Sequence, residues 1–241
     1  MNNQLCRQQF HLQETFATVI TSERFMALAE QTIIDTRNLI EAYIARQPHF
    51  RTALQPLAAE AGAPQVIRRM ADAAARAGVG PMAAVAGAIA QNTVEALIRA
   101  GAAYVVMDNG GDIVLFIDRP VNVGVFTGPA KIRDIALHFL PRPHIFSVCT
   151  SSGRVGHSLS FGRADAAVVV AADGYLADAM ATALGNRIQT GSKNEIEQAV
   201  CASLIDGVHG LLVVADERLG LGGELPDIVR SHVDTNIISQ G

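Results

Sequence analysis

The chain has 241 residues, 49% of them hydrophobic and 17% charged, with a net charge of −4. That suffices for one domain spanning 1–241, and the low charge leaves apolar surface for a homo-oligomer to bury. Lys131 and Lys193 are the lysines and Arg68–Arg69 is the adjacent basic pair, which excludes a phosphate-binding stripe for nucleic acid. Cys6, Cys149 and Cys201 lack the spacing of a disulfide framework or zinc ribbon. No apolar run reaches the roughly 18–20 residues of a membrane span. The opening MNNQL lacks a secretory signal's basic and apolar regions. These features predict a cytoplasmic protein with neither membrane nor nucleic-acid partner.

In chain order, β-branched and aromatic residues predict a strand over Phe10–Ile20, then a helix over Arg24–Arg46 from apolar residues at helical spacing, ended by Pro48. A connection over 47–64 is expected to hold a short helix near Leu54–Ala61. Gln65–Ala77 reads as a helix stopped by Gly78, and Pro81 stands at a favourable first position for a buried helix over Met82–Ala100. Gly87 inside that helix costs about 1 kcal/mol against Ala, so close packing or a ligand is expected to compensate.

Strands follow. Ala103–Met107 and Asp112–Ile117 flank Asp108-Asn109-Gly110-Gly111, a strong hairpin signal. Val121–Phe126 and Ile145–Thr150 read as further strands, and Asp165–Ala172 as a buried strand leading into a helix over Leu176–Arg187. Ser192-Lys193-Asn194-Glu195 is a capping box opening a helix to about Leu204. Leu211–Ala215 reads as the last buried strand, before a Gly-rich tail. Antiparallel strand pairs separated by helix pairs predict an α+β fold with helices packed on one face of an antiparallel sheet.

The candidate chemistry lies between Cys149 and Asn186. Asp178 and Thr182, four residues apart, share one helical face and offer two hard oxygen donors of the kind Mg²⁺ prefers. The same pair equally describes an acid favoured near a helix start and a Thr bonded back to a carbonyl. Thr150, Ser151, Ser152 and Gly153 with His157 read either as a hydroxyl-rich turn or as a nucleophile with its base. Gly220-Leu221-Gly222-Gly223 lacks the spacing of a dinucleotide-binding loop.

In order and spacing, Asn109-Gly110-Gly111-Asp112, then Thr150-Ser151-x-Gly153 with His157, then Ala177-Asp178-Ala179-x-Ala181-Thr182-Ala183 resemble the ApbE-like superfamily. The run Gly80–Gly87 resembles a cytoplasmic branch of it. The best-known members are flavin transferases that move FMN from FAD onto a Thr or Ser of a target protein, using Mg²⁺. The resemblance implies a T-fold-like duplicated unit with its ligand in a cleft between halves. It implies Asp178 and Thr182 as Mg²⁺ ligands and His157 as the acid–base or ligand-contacting residue. Asn109, Gly110, Gly111, Asp112, Thr150, Ser151, Ser152 and Gly153 would cradle FAD, FMN or another diphosphate-bearing nucleotide, with a protein as acceptor. Where the transferases carry Lys-Gly and an Asp four residues on, this chain has Ala86-Gly87 and Gln91. The segment His157–Gly162 lacks their proline. The alternative function is a non-transferase accessory or binding protein, with sulfur assimilation in anaerobes as one setting. Cys149 would then be either a reactive thiolate or a small buried hydrophobe.

Overall fold

A computed structural model describes residues 4–128, 130–152 and 162–231. The chain opens on a hairpin, β1 (Leu5–Leu12) and β2 (Thr15–Ser22), followed by α1 (Met26–Arg46), a short α2 (His49–Thr52), α3 (Gln65–Ala77) and α4 (Val85–Arg99). Then come β3 (Val105–Asn109), β4 (Asp112–Phe116), β5 (Val121–Val125), β6 (Ile135–Phe139), β7 (Phe146–Ser151) and β8 (Ala166–Ala171). The chain continues through α5 (Gly174–Asn186), α6 (Lys193–Ser203), β9 (Val208–Ala215), β10 (Arg218–Gly223) and β11 (Asp227–Arg230).

Eight strands form one sheet in the order β1-β2-β3-β4-β7-β8-β9-β10, with every neighbouring pair antiparallel. Its two halves repeat a pattern: a strand pair, a helical stretch, a strand pair. They meet where β4 pairs with β7, with Asp112 opposite Cys149. The helices cover one face of this sheet, and the smaller sheet β11-β6-β5 covers the other. Alternation divides each central strand between these layers. In β8, Ala167 and Val169 face the helices while Val168 and Val170 face the second sheet, so the whole strand is apolar and buried.

In α1, Met26, Ala29, Ile33, Thr36, Ile40 and Tyr43 form the buried stripe, at steps of three and four residues. α4 is deeper still, packed between α1, α5 and strands β3 and β4. Its Gly87 meets Gly174 at the start of α5. A Cβ at Gly87 would stand 2.1 Å from the Gly174 carbonyl oxygen and 2.8 Å from Asp178 Cβ. Close packing is therefore what compensates the weak helix propensity of Gly87.

Several expectations need correction. Phe10–Ile20 is not one strand but parts of two, because the chain reverses at Gln13–Glu14 with Gln13 left-handed (φ 54°). The short helix lies at His49–Thr52 rather than near Leu54–Ala61, where Pro56 lacks an amide donor and disfavours helix before it. β9 is not the last strand, and β6, β10 and β11 escape the pattern. β10 does so because Gly220 and Gly222 lie under α6. A Cβ at either would come within 2.3 Å of Ile196 or Val200. The capping box also differs in detail. Ser192 Oγ accepts from the Glu195 N–H at 3.3 Å, but the Glu195 carboxylate accepts from the amides of Gln189, Thr190 and Gly191. Among the described residues, no single helix is long and apolar enough to cross a membrane.

Gly87→Ala separates propensity from packing. Propensity alone would stabilise α4 by about 1 kcal/mol, whereas forcing a methyl against backbone costs roughly 1–3 kcal/mol or more. We expect a melting temperature several degrees lower, and an unchanged or higher value in a thermal melt would refute the crossing.

Candidate functional site

A cleft of about 690 Å³ opens beside the end of α4 where the chain enters it. One wall is the β3–β4 turn and β7, contributing Asn109, Gly110, Asp112 and Thr150. The opposing surfaces come from the β1–β2 turn, α1 and α2, and Ile40, Ile44, Val85 and Ile89 supply an aliphatic lining. Gly110 (φ 68°) and Gly111 (φ 97°) are both left-handed, as a tight two-residue hairpin turn requires. With no side chain at Gly110, backbone faces the cleft directly. Asn109 is buried and donates from Nδ2 to the Ala86 carbonyl at 3.2 Å, fixing the turn to the start of α4.

Two carboxylates converge behind this wall. Asp178, on α5 and only 8% exposed, accepts the Gly87 N–H at 2.8 Å and is also hydrogen-bonded by the Ala86 amide. α4 has no side-chain cap of its own at Ala84, so a carboxylate from another helix supplies the acceptor for its first amides. Burial lifts the Asp178 pKa to about 7 despite these hydrogen bonds. Asp112, on β4, is raised well above the ordinary value by burial and then by the charge of Asp178, while the Cys149 thiol and the Thr150 amide pull the other way. Cys149 is fully buried, and burial and the two carboxylates push its thiol up, so it is the protonated small core residue and not a reactive thiolate.

Asp112, half-buried at the wall, and Asp178, buried behind it, form a place where a cation would relieve the charge that Asp178 imposes on Asp112. Among the described residues, no three His, Cys, Asp or Glu side chains are grouped to surround a metal. A pair of carboxylates with open positions nevertheless fits Mg²⁺, which is commonly held by one or two carboxylates together with substrate phosphates and water. The donor set is hard oxygen, and Asp178 retains lone pairs beyond those facing α4.

A side-chain network holds this corner. Gln91 Oε1 accepts the Gly174 N–H at 3.0 Å, and its Nε2 donates to Glu95 at 2.9 Å. Arg69 binds Glu95 and Asp173 at 3.0–3.1 Å and lies 4.1 Å over the Tyr175 ring, tying α3 and α4 to the start of α5.

Of the residues singled out from the sequence, Asn109, Gly110, Asp112 and Thr150 line the cleft, and Gly111 completes their turn. Asp178 stands behind the wall within electrostatic reach of Asp112. Thr182 is half-buried one helical turn further on. Ser151 is buried, with its hydroxyl unpartnered among the described residues, and Ser152 follows the end of β7. Gly153 and His157 lie outside the described residues. The sequence reading missed Asp112 as the charge partner of Asp178, missed Arg37 and Arg51, and saw Gln91 only as a departure from the family pattern. Arg37 and Glu41 are an i,i+4 pair beside the buried stripe of α1, a pattern no different from an ordinary surface ion pair.

The family model described as AbpE bacteria matches residues 3–208. The chain belongs to that family. It is 45% identical to the UPF0280 protein of Methanocella arvoryzae, over 97% of this chain and 95% of the relative. It is 44% identical to that of Archaeoglobus fulgidus, over 98% and 99%. Its fold is similar to the ApbE protein of Thermotoga maritima (TM-score 0.54, 13% identity, 99% of this chain and 100% of that one). The flavin transferase ApbE of Vibrio cholerae is also similar (TM-score 0.51, 10% identity, 94% and 98%). Against this family background, Gln91 stands where the resemblance expects an acid, and its amide is spent on a crosslink between α4 and α5.

Because Asp112 and Asp178 bind protons more tightly folded than unfolded, their protonation stabilises the metal-free chain below the ordinary carboxylate value near 3.8. The Asp178 part of that contribution is lost as pH rises through about 7. We expect unfolding stability in a chelator to fall between pH 5 and pH 8 by on the order of 3 kcal/mol, at about 1.4 kcal/mol for each pH unit below the raised Asp178 value. Asp112→Asn should flatten that slope in urea titrations. An equally steep slope in the variant would show that the two carboxylates are not coupled.

Proposed function

We propose that this protein binds a flavin nucleotide, or another ligand carrying a diphosphate, in the cleft beside α4, with Mg²⁺ against Asp112 and Asp178. The observation that carries this reading is Asp112 at the wall of a cleft large enough for a drug-sized ligand, with the buried Asp178 behind it within electrostatic reach. When bound, Mg²⁺ would supply charge neutralisation for the diphosphate. Asp112 and Asp178 would hold it, and Thr182 would add a neutral oxygen from the same face of α5 as Asp178. Gly110 lets ligand approach the backbone, and the aliphatic lining keeps water from the body of the ligand. His157 is assigned the acid–base role by the family resemblance alone.

A second reading is a binding or accessory protein without flavin transfer. Gln91 favours it, because a neutral amide locked between Gly174 and Glu95 cannot take a proton from an acceptor hydroxyl. Sulfur carriage through Cys149 is not part of this reading, since that thiol is buried and protonated.

At a ligand concentration 100 times Kd, FAD with Mg²⁺ should add about 2.7 kcal/mol of stability, seen as a raised melting temperature. Asp112→Asn should remove most of that gain, and Thr182→Val a smaller part. Absence of any shift with FAD and Mg²⁺, or an undiminished shift in Asp112→Asn, would overturn the ligand assignment. Mass spectrometry of a Ser- or Thr-bearing acceptor incubated with both would separate the transferase from the binding protein. The exposed Leu39, Leu140, Leu219 and Leu221, together with the low charge, support a homo-oligomer. Light scattering at micromolar concentration should give a mass above 25.5 kDa, and a monomer would refute it.

A further inference from the structure

Three side chains at the cleft have no part in that reading: Glu14, Arg37 and Arg51. Arg37 reaches from α1 to the β1–β2 turn with its side chain only 13% exposed. One of its nitrogens donates to Thr15 Oγ1, and the other to Gln13 Oε1 at 2.7 Å, Glu14 Oε2 at 3.2 Å and Glu41 Oε1 at 2.9 Å. Thr15 and Glu41 fix the guanidinium from below. Glu14 is a different kind of partner, because its side chain is 78% exposed and rides on a turn whose first residue is left-handed. A hydrogen bond from its own amide, then Arg37 and more weakly Arg51, hold its carboxyl below the ordinary value.

Glu14 is therefore an exposed anion paired with Arg37 and within electrostatic reach of Arg51, and both arginines line a ligand-sized cleft. An exposed ion pair of this kind is weak, so another anion can displace it. Arg37 loses nothing by the exchange, since its bonds to Thr15 and Glu41 remain. The arginines also stand apart from the carboxylate pair. Thr15 is on β2 and Asp112 on β4, with β3 between them. Without a metal, Asp112 and Asp178 offer an anion no positive charge, which leaves the arginines as the attractive end of the cleft.

We propose that Arg37 and Arg51 form a phosphate-binding subsite, occupied by the Glu14 carboxylate when no ligand is bound. The inference rests on the cleft being the ligand site. It adds that the ligand presents anionic oxygens to Arg37 and Arg51 as well as to the cation. A ligand with a single charged end would leave the arginines with Glu14.

The test is titration calorimetry of the full chain with inorganic pyrophosphate, in chelator so that no metal contributes. Glu14→Gln should tighten binding about threefold by removing the internal competitor. Arg51→Ala should weaken it by a similar factor, and both effects should shrink in high salt. Glu197→Gln, an equal charge change on α6, should leave the affinity as it is. The subsite is overturned if the unmodified chain and Glu14→Gln both fail to bind pyrophosphate. It is equally overturned if Glu14→Gln and Glu197→Gln behave alike, or if Arg51→Ala binds undiminished. The flavin reading fails separately. If these variants respond as stated while FAD with Mg²⁺ does not bind, the subsite stands and the flavin assignment falls. If FAD with Mg²⁺ binds but the variants leave pyrophosphate affinity unchanged, the reverse holds.

Discussion

The bond from the Gly87 amide to the Asp178 carboxylate is the contact on which the rest of the architecture leans. α4 begins at Val85 without a capping side chain of its own, and its first amides point into protein rather than water. A carboxylate from α5 satisfies them, and the positive end of the α4 dipole offsets part of the cost of burying that charge. The approach is only feasible because residues 87 and 174 have no side chains where the helices cross. One group thus secures the helix crossing and faces the cleft wall. Asp112 caps no helix, so substituting it reports on ligand chemistry with less disturbance to the fold.

Elements whose signal is local were legible in the sequence. The stripe of α1, the Gly101 stop after α4 and the Asn109-Gly110 turn each follow from short-range rules, whereas Pro81 opens a separate 3-10 turn (Pro81–Ala84) and α4 starts only at Val85. The antiparallel sheet with helices on one face followed from the spacing of those elements. What escaped depends on partners distant in sequence. β10 reads as a Gly-rich tail because its glycines answer to Ile196 and Val200, and nothing within the strand announces that helix. The β1–β2 reversal uses Gln13 in a left-handed conformation that Gly or Asn would have signalled and Gln does not.

The site divides along the same line. Asp112 and Thr150 could be singled out by the order of motifs, and both reach the cleft. That Asp112 opposes Asp178 follows from the β4–β7 register and the seating of α5 on β7, which spacing alone does not encode. Gln91 illustrates the converse. Its departure from the family pattern was visible as a substitution, yet its work as a crosspiece to Gly174 was not.

The two sheet halves meet at the β4–β7 ladder and the α4–α5 crossing, and the cleft sits on that junction. Asn109, Gly110, Asp112 and the start of α4 belong to the first half, whereas Thr150, Cys149 and Asp178 belong to the second. Neither half alone contains both carboxylates. A ligand bridging Asp112 to Asp178 would act as a clasp between the halves, so by linkage its affinity is also a measure of how firmly they hold each other.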